Sequence, residues 1–133
     1  MTGKKADETL SLQRFLQSYP KSAVIFEEGS SGNEMYLIHT GSVALTTQQN
    51  DSGPVTLAVL KPGDFFGEMA LVDDAPRSAS AVTIEDTQLI TLDRAKFLFT
   101  VQQQPQFALS VMHTLCQRLR DLDGRVAASG GTP

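Results

Sequence analysis

Residues 65–80 read Phe65-Phe66-Gly67-Glu68-Met69-Ala70-Leu71-Val72-Asp73-Asp74-Ala75-Pro76-Arg77-Ser78-Ala79-Ser80. The chain on either side is patterned as short strands, and this stretch interrupts them. Glu68 to Leu71 has room for about one helical turn, flanked by Gly67 and Pro76. Gly67 lets the backbone come close to another group. The start of a helical turn presents N–H groups without intrahelical acceptors, which attract anions. Arg77 supplies a planar, permanently charged fork suited to two phosphate oxygens. Ser78 adds a hydroxyl and an amide at the same place. Glu68 would repel phosphate, so it makes sense as the acceptor for a hydroxyl such as a ribose 2′-OH. One arginine with a few amides balances one phosphodiester charge. A triphosphate calls for a P-loop lysine and Mg²⁺, and neither GxxxxGK[ST] nor GxGxxG occurs in the chain.

Outward from this stretch the pattern is that of a small β structure. Val24–Phe26, Met35–His39, Ser42–Thr47, Val55–Leu60, Ser78–Ile84 and Gln88–Leu92 are short apolar or alternating runs. Turn-forming residues separate them at Glu28–Asn33, Thr40-Gly41, Asn50–Pro54, Lys61–Asp64 and Glu85-Asp86. Short strands at such spacing predict a small sandwich or barrel. Before them, Leu12, Phe15, Leu16 and Tyr19 fall on one helical face, and Pro20 ends that helix. After them, Asp93 is a candidate N-cap for a helix over Arg94–Gln103. Pro105 opens a second helix to about Asp123, with an apolar stripe at Phe107, Val111, Leu115, Leu119 and Leu122. Gly124 is placed to stop it, leaving Arg125–Pro133 as a frayed tail.

Composition bounds the function. The chain has 133 residues, enough for one core. No apolar run is long enough to span a membrane, and Met1–Thr9 lacks a signal-peptide core. A single cysteine, Cys116, excludes an internal disulfide and fits a reducing cytoplasm. A net charge of −4 argues against nucleic acid as the main partner. Residues 1–92 carry six basic and twelve acidic side chains, and residues 93–133 carry five and three. His39 and His113 lack metal-ligand spacing, and no nucleophile–base pair is visible. The expectation is a protein that is no enzyme and holds no metal or cofactor.

The 66–79 segment resembles the phosphate-binding cassette of cyclic-nucleotide-binding domains, with Phe66-Gly67-Glu68, Ala70-Leu71 and Pro76-Arg77-Ser78-Ala79 in place. The upstream glycine turn, Glu28-Gly29 to Gly32-Asn33, and Gly41-Ser42-Val43 are similar to that family as well. The resemblance implies a mainly β fold: a β-roll, jelly-roll-like, of about eight strands with one N-terminal and two C-terminal helices. It implies a domain over residues 10–123, with residues 1–9 and 124–133 as flexible tails. It implies ligand contact at Gly67, Glu68, Met69, Ala70, Arg77 and Ser78. Glu68 would take the ribose 2′-OH and Arg77 the cyclic phosphate. Leu45 and Leu57 match apolar positions that line sugar and base. Arg118 stands where an arginine of the last helix covers the base, with Leu119 and Leu122 nearby.

These residues predict reversible binding of a cyclic mononucleotide, with cAMP favoured over cGMP. Closure of the last helix over the pocket would regulate a separate effector protein, with the chain a monomer or weak dimer. Only ten residues follow Asp123 in this sequence, too few for a winged helix-turn-helix, so DNA binding is not expected. Two other readings stand beside this one. The chain is the cytoplasmic ligand-binding domain of a larger channel or regulator, or it is an interaction scaffold with little nucleotide binding.

Overall fold

The computed structural model describes residues 14–48 and 52–128, with side chains as far as Asp121. In chain order the elements are β1 (Leu16–Tyr19), β2 (Val24–Phe26), β3 (Glu34–Thr40), β4 (Val43–Gln48), β5 (Pro54–Leu60) and β6 (Phe65–Phe66). A single 3₁₀ turn, η1 (Glu68–Leu71), follows, then β7 (Ser80–Thr83), β8 (Thr87–Asp93), α1 (Arg94–Gln103) and α2 (Pro105–Ala128). The strands form two antiparallel four-stranded sheets, ordered β1-β8-β3-β6 and β2-β7-β4-β5. This is the mainly β, eight-stranded β-roll with C-terminal helices that the sequence predicts.

One apolar cluster joins the sheets. Tyr36, Ile38, Phe66 and Leu89 come from the first, and Val43 and Ala81 from the second. Tyr19, Ile25, Phe26, Leu45 and Leu60 close around them. Each of these aliphatic side chains is worth about 1.5–3 kcal/mol when fully buried. Phe26, Tyr36 and Phe66 form a triangle of rings with centroids 5.1–5.9 Å apart, within the range of favourable aromatic pairs. β6 contributes only two residues, yet Phe66 pairs with Tyr36 across the sheet and anchors the chain just before η1.

The chain divides into two compact units, Met1–Phe97 and Leu98–Pro133, with α1 running from one into the other. Asp93 caps α1 as expected: its Oδ1 accepts from Lys96 N–H at 2.8 Å. In the second unit, Gln104 N–H donates to Thr100 O at 2.8 Å and Phe107 N–H to Gln104 O at 2.9 Å, leading directly into α2. Val111 is buried on α2, and Phe107 and Leu115 are half-buried.

Three expectations need correction. Leu16–Tyr19 is a strand rather than the end of a helix, because it pairs with β8 from Leu16↔Ile90 to Tyr19↔Thr87. Leu12 and residues 1–9 lie outside the described residues, as do Asn50 and Asp51. α2 runs through Gly124 to Ala128. A glycine inside a helix costs only about 1 kcal/mol, too little to stop one of 24 residues. The expected tail therefore begins helical, and residues 129–133 lie outside the described set. Leu119 is exposed, off the buried face of α2. Among the described residues no helix is long and apolar enough to cross a membrane.

The two tyrosines report on this core. Burial, then the Glu34 carboxylate, pushes the Tyr36 hydroxyl up to about 12, and the same two causes raise Tyr19. The raised value means that the fold favours the neutral phenol. That stabilisation is complete below the ordinary value of 10.0 and is lost as pH rises towards about 12. Ultraviolet titration should show phenolate appearing late, together with loss of the folded state. Two tyrosines ionising at their ordinary value with the fold intact would contradict this packing.

Candidate functional site

Gly67 follows β6 with φ of 75° and forms the N-terminal boundary of η1. That left-handed backbone suits glycine, and space demands it too. A Cβ at Gly67 would lie 2.8 Å from Arg77 Nη1 and 3.1 Å from Glu34 O. After η1 the Asp73 carboxylate turns the loop by accepting from Ala75 N–H at 2.9 Å. Two main-chain bonds then pin Arg77 to the β2–β3 loop: Arg77 N–H to Ser30 O and Gly29 N–H to Arg77 O, both 2.8 Å.

Glu28 fixes that loop in turn. Its N–H donates to Ser80 Oγ at 2.8 Å. Its carboxylate accepts from Gln48 N–H at 3.0 Å and Thr47 Oγ–H at 2.8 Å. These bonds, the main-chain one first, hold its carboxyl below the usual range. The glycine turn is thereby tied to β4 and to the start of β7.

The Arg77 side chain occupies the space so prepared and is only 8% exposed. Nη2 donates to Glu34 O at 3.0 Å and Nη1 to Gly67 O at 3.3 Å. The guanidinium lies over the Phe26 ring, 4.1 Å from its centroid, a contact worth up to about 2 kcal/mol when desolvated. Gly32 backs it so closely that a Cβ there would come within 2.5 Å of Nη2. Nε is buried and has no hydrogen-bond partner among the described residues. Among the described residues, the acceptors of this guanidinium's hydrogen bonds are neutral carbonyls, not carboxylates. An unmet buried donor costs about 1–3 kcal/mol, more if charged. The site therefore holds a fixed, underbonded cation, the electrostatic complement of one anionic group.

The other expected residues surround this cation to different degrees. Glu68 is half-buried at the first position of η1, Met69 is 63% exposed, and Ser78 is exposed beside Arg77. Ala70 is buried, and its N–H is engaged with Gly67 O at 3.2 Å. On β4, Leu45 pairs with Ala81, three residues beyond Ser78, so this strand runs past the exit of the loop. On β5 the pairing jumps from Leu45↔Ala58 to Thr46↔Thr56, leaving Leu57 as the extra residue of a β-bulge. A bulge re-aims a side chain out of strict alternation, and Leu57 is 53% exposed there. Arg118 is half-buried on α2, in the second unit. The Leu122 side chain lies outside the described residues.

Phe26, Gly32, Glu28 and the Glu34 carbonyl are the participants that sequence reading missed. Gly32 belonged to a recognised glycine turn, but a close approach to Arg77, 45 residues away, leaves no local signal. Phe26 read as an ordinary apolar strand residue.

The model of the cyclic nucleotide-binding domain family matches residues 16–104. The chain belongs to that family. It is 41% identical over 105 residues to the cyclic AMP receptor protein of Thermus thermophilus, covering 79% of this chain and 49% of that one. It is 42% identical over 79 residues to the cAMP-dependent protein kinase regulatory subunit of Aspergillus fumigatus, covering 59% and 18%. The crystal structure of the Thermus thermophilus catabolite activator protein superposes with a TM-score of 0.80 at 37% identity, covering 93% of this chain and 59% of that one. The chain thus spans about half the length of the Thermus receptor protein it matches.

An underbonded buried cation has a measurable signature. Arg77→Met keeps most of the side-chain volume and removes the charge. Urea unfolding of the variant without ligand should show a stability unchanged to within about 1 kcal/mol, or raised, since the lost hydrogen bonds and ring contact are offset by removal of a desolvated, underbonded charge. A loss of several kcal/mol would show that the charge is already well partnered.

Proposed function

We propose that this domain is a cAMP sensor that binds its ligand reversibly at Arg77 and Glu68, with cGMP as the weaker competitor, and that it carries out no covalent chemistry. The observation that carries this reading is the buried, unpartnered Nε of Arg77. A cyclic phosphate brings one negative charge and two exocyclic oxygens, which fit a guanidinium edge. Glu68, half-buried at the start of η1, is the acceptor for the ribose 2′-OH. Gly67, Met69, Ala70 and Ser78 frame the sugar-phosphate, while Leu45 and the bulged Leu57 offer apolar contact to sugar and base. The names of both relatives, a cyclic AMP receptor and a cAMP-dependent kinase regulator, support adenine.

The remaining contacts belong to α2. Arg118 and Leu122 of α2 are the proposed cover for the purine face. Stacking reads no base edge, so discrimination is modest, about 1–2 kcal/mol or 5- to 30-fold. Ligand contacting both η1 and α2 favours the state in which the helix covers the pocket. The output goes to a separate effector protein in the cytoplasm, and the domain itself contacts neither DNA nor membrane. A second reading, the ligand-binding piece of a larger regulator, draws support from the chain matching about half of the Thermus receptor protein.

Calorimetry with cAMP tests the proposal. At about 100 times the dissociation constant, ligand adds about 2.7 kcal/mol of stability, seen as a melting point several degrees higher. Glu68→Ala should bind more weakly and lose most of its preference for cAMP over 2′-deoxy-cAMP. Arg118→Ala should weaken both cyclic nucleotides. No heat and no melting shift with millimolar cAMP or cGMP would overturn the reading. Unaltered 2′-hydroxyl discrimination in Glu68→Ala would remove Glu68 from the site.

A further inference from the structure

Phe26 reaches Arg77 through an irregularity in β2. Val24 pairs with Val82 and Phe26 with Ala81, so Ile25 is an extra residue on the β2 side. A bulge of this kind re-aims a side chain. Phe26 meets Tyr36 at 5.8 Å and Phe66 at 5.9 Å between ring centroids, tilted by 39° and 47°. These two rings brace it, and the Arg77 guanidinium carbon stands 4.1 Å from its centroid. Tyr36 is farther from the same carbon, at 5.9 Å.

We infer that Phe26 is a positioning residue that makes the site select for a charged phosphate, because its ring orients the Arg77 guanidinium without neutralising it. The inference rests on the cyclic-nucleotide reading above. A carboxylate partner binds a guanidinium at its edge and takes the N–H groups that an anionic ligand needs. An aromatic ring attracts the cation at its planar face and takes none of them. Glu34 shows the same division. Its main-chain oxygen accepts from Arg77 Nη2, while its carboxylate accepts from the Tyr36 hydroxyl at 3.4 Å. Of the five N–H groups of a guanidinium, two are bonded among the described residues, to Gly67 O and Glu34 O. Ordering a free arginine side chain on binding costs affinity, and a plane already held on a ring loses less freedom. That gain reaches only ligands that meet the cation. A desolvated cation–π contact corresponds to about 5- to 30-fold in affinity.

Calorimetry of the full chain with two probes tests this: cAMP, and its uncharged methyl phosphotriester. The ratio of the two affinities reports how strongly the site reads the phosphate charge. Wild type should favour cAMP, and Phe26→Leu should cut that ratio by about 5- to 30-fold. Phe26→Tyr, which keeps an aromatic face, should retain most of it. On an Arg77→Met background, Phe26→Leu should change the ratio no further, since the ring acts through the cation. A merely structural role would weaken both probes alike and leave the ratio in place. An unchanged ratio in Phe26→Leu overturns the inference alone, as does an equal further loss on the Arg77→Met background. If Phe26→Leu fails to fold, 3,4,5-trifluorophenylalanine at position 26 decides by the same ratio, because it keeps the ring and drains its negative face. A wild type that binds neither probe, or both equally, overturns the reading beneath and the inference together.

Discussion

The guanidinium of Arg77 is buried, stacked on Phe26 and, among the described residues, bonded only through its two terminal nitrogens, to Glu34 O and Gly67 O. Much of the first unit is arranged around that constraint. Two residues without side chains, Gly32 and Gly67, are needed because the cation fills the space a Cβ would take. The main chain on either side is fixed by the Arg77–Ser30 and Gly29–Arg77 bonds. The floor is one corner of the Phe26–Tyr36–Phe66 triangle, so the core and the site share an edge. Holding a cation this way works against folding. In the proposed reading, the stability forgone there is available as affinity to an anion that completes the hydrogen bonding.

In the proposed reading, this division of labour suits a sensor built on a β-roll. The strands provide a rigid frame, with β8 held between β1 and β3 and carrying the buried Leu89 and Leu92. The responsive parts are short and irregular: a left-handed glycine, one 3₁₀ turn and a loop. They lie between β6 and β7, and the carbonyls at the two ends of the turn, Gly67 O and Leu71 O, accept from Arg77 Nη1 and Arg94 Nε. A ligand that pulls on one of those bonds competes with a main-chain carbonyl, which is easily exchanged, rather than with a salt bridge.

The sequence was most legible where chemistry depends on residue type at fixed local spacing. Gly67, Glu68, the η1 turn, Pro76 and Arg77 lie within a dozen residues, and each carries a local conformational or charge signal. β2, β3, β4, β5 and β8 were legible through turn residues and apolar runs, and α1 through its Asp93 cap. What depended on distant pairing was not. Leu12, Phe15, Leu16 and Tyr19 have helical spacing, but β8 supplies four partners and makes Leu16–Tyr19 a strand. β6 is two residues long and exists only through Tyr36 and Leu37. The re-aiming of Leu57 requires a bulge set by the β4 register. The seat of Phe26 under Arg77 requires knowing which rings the core leaves at its edge.

The most direct measurement is the ¹H–¹⁵N resonance of Arg77 Nε. This N–H is buried without an acceptor among the described residues. Titration with cAMP should move it strongly downfield as phosphate oxygen becomes its acceptor, whereas adenosine, which lacks the phosphate, should leave it in place. A resonance that stays still while cAMP saturates the protein would contradict the account, because binding would then occur without the cation around which the site is built.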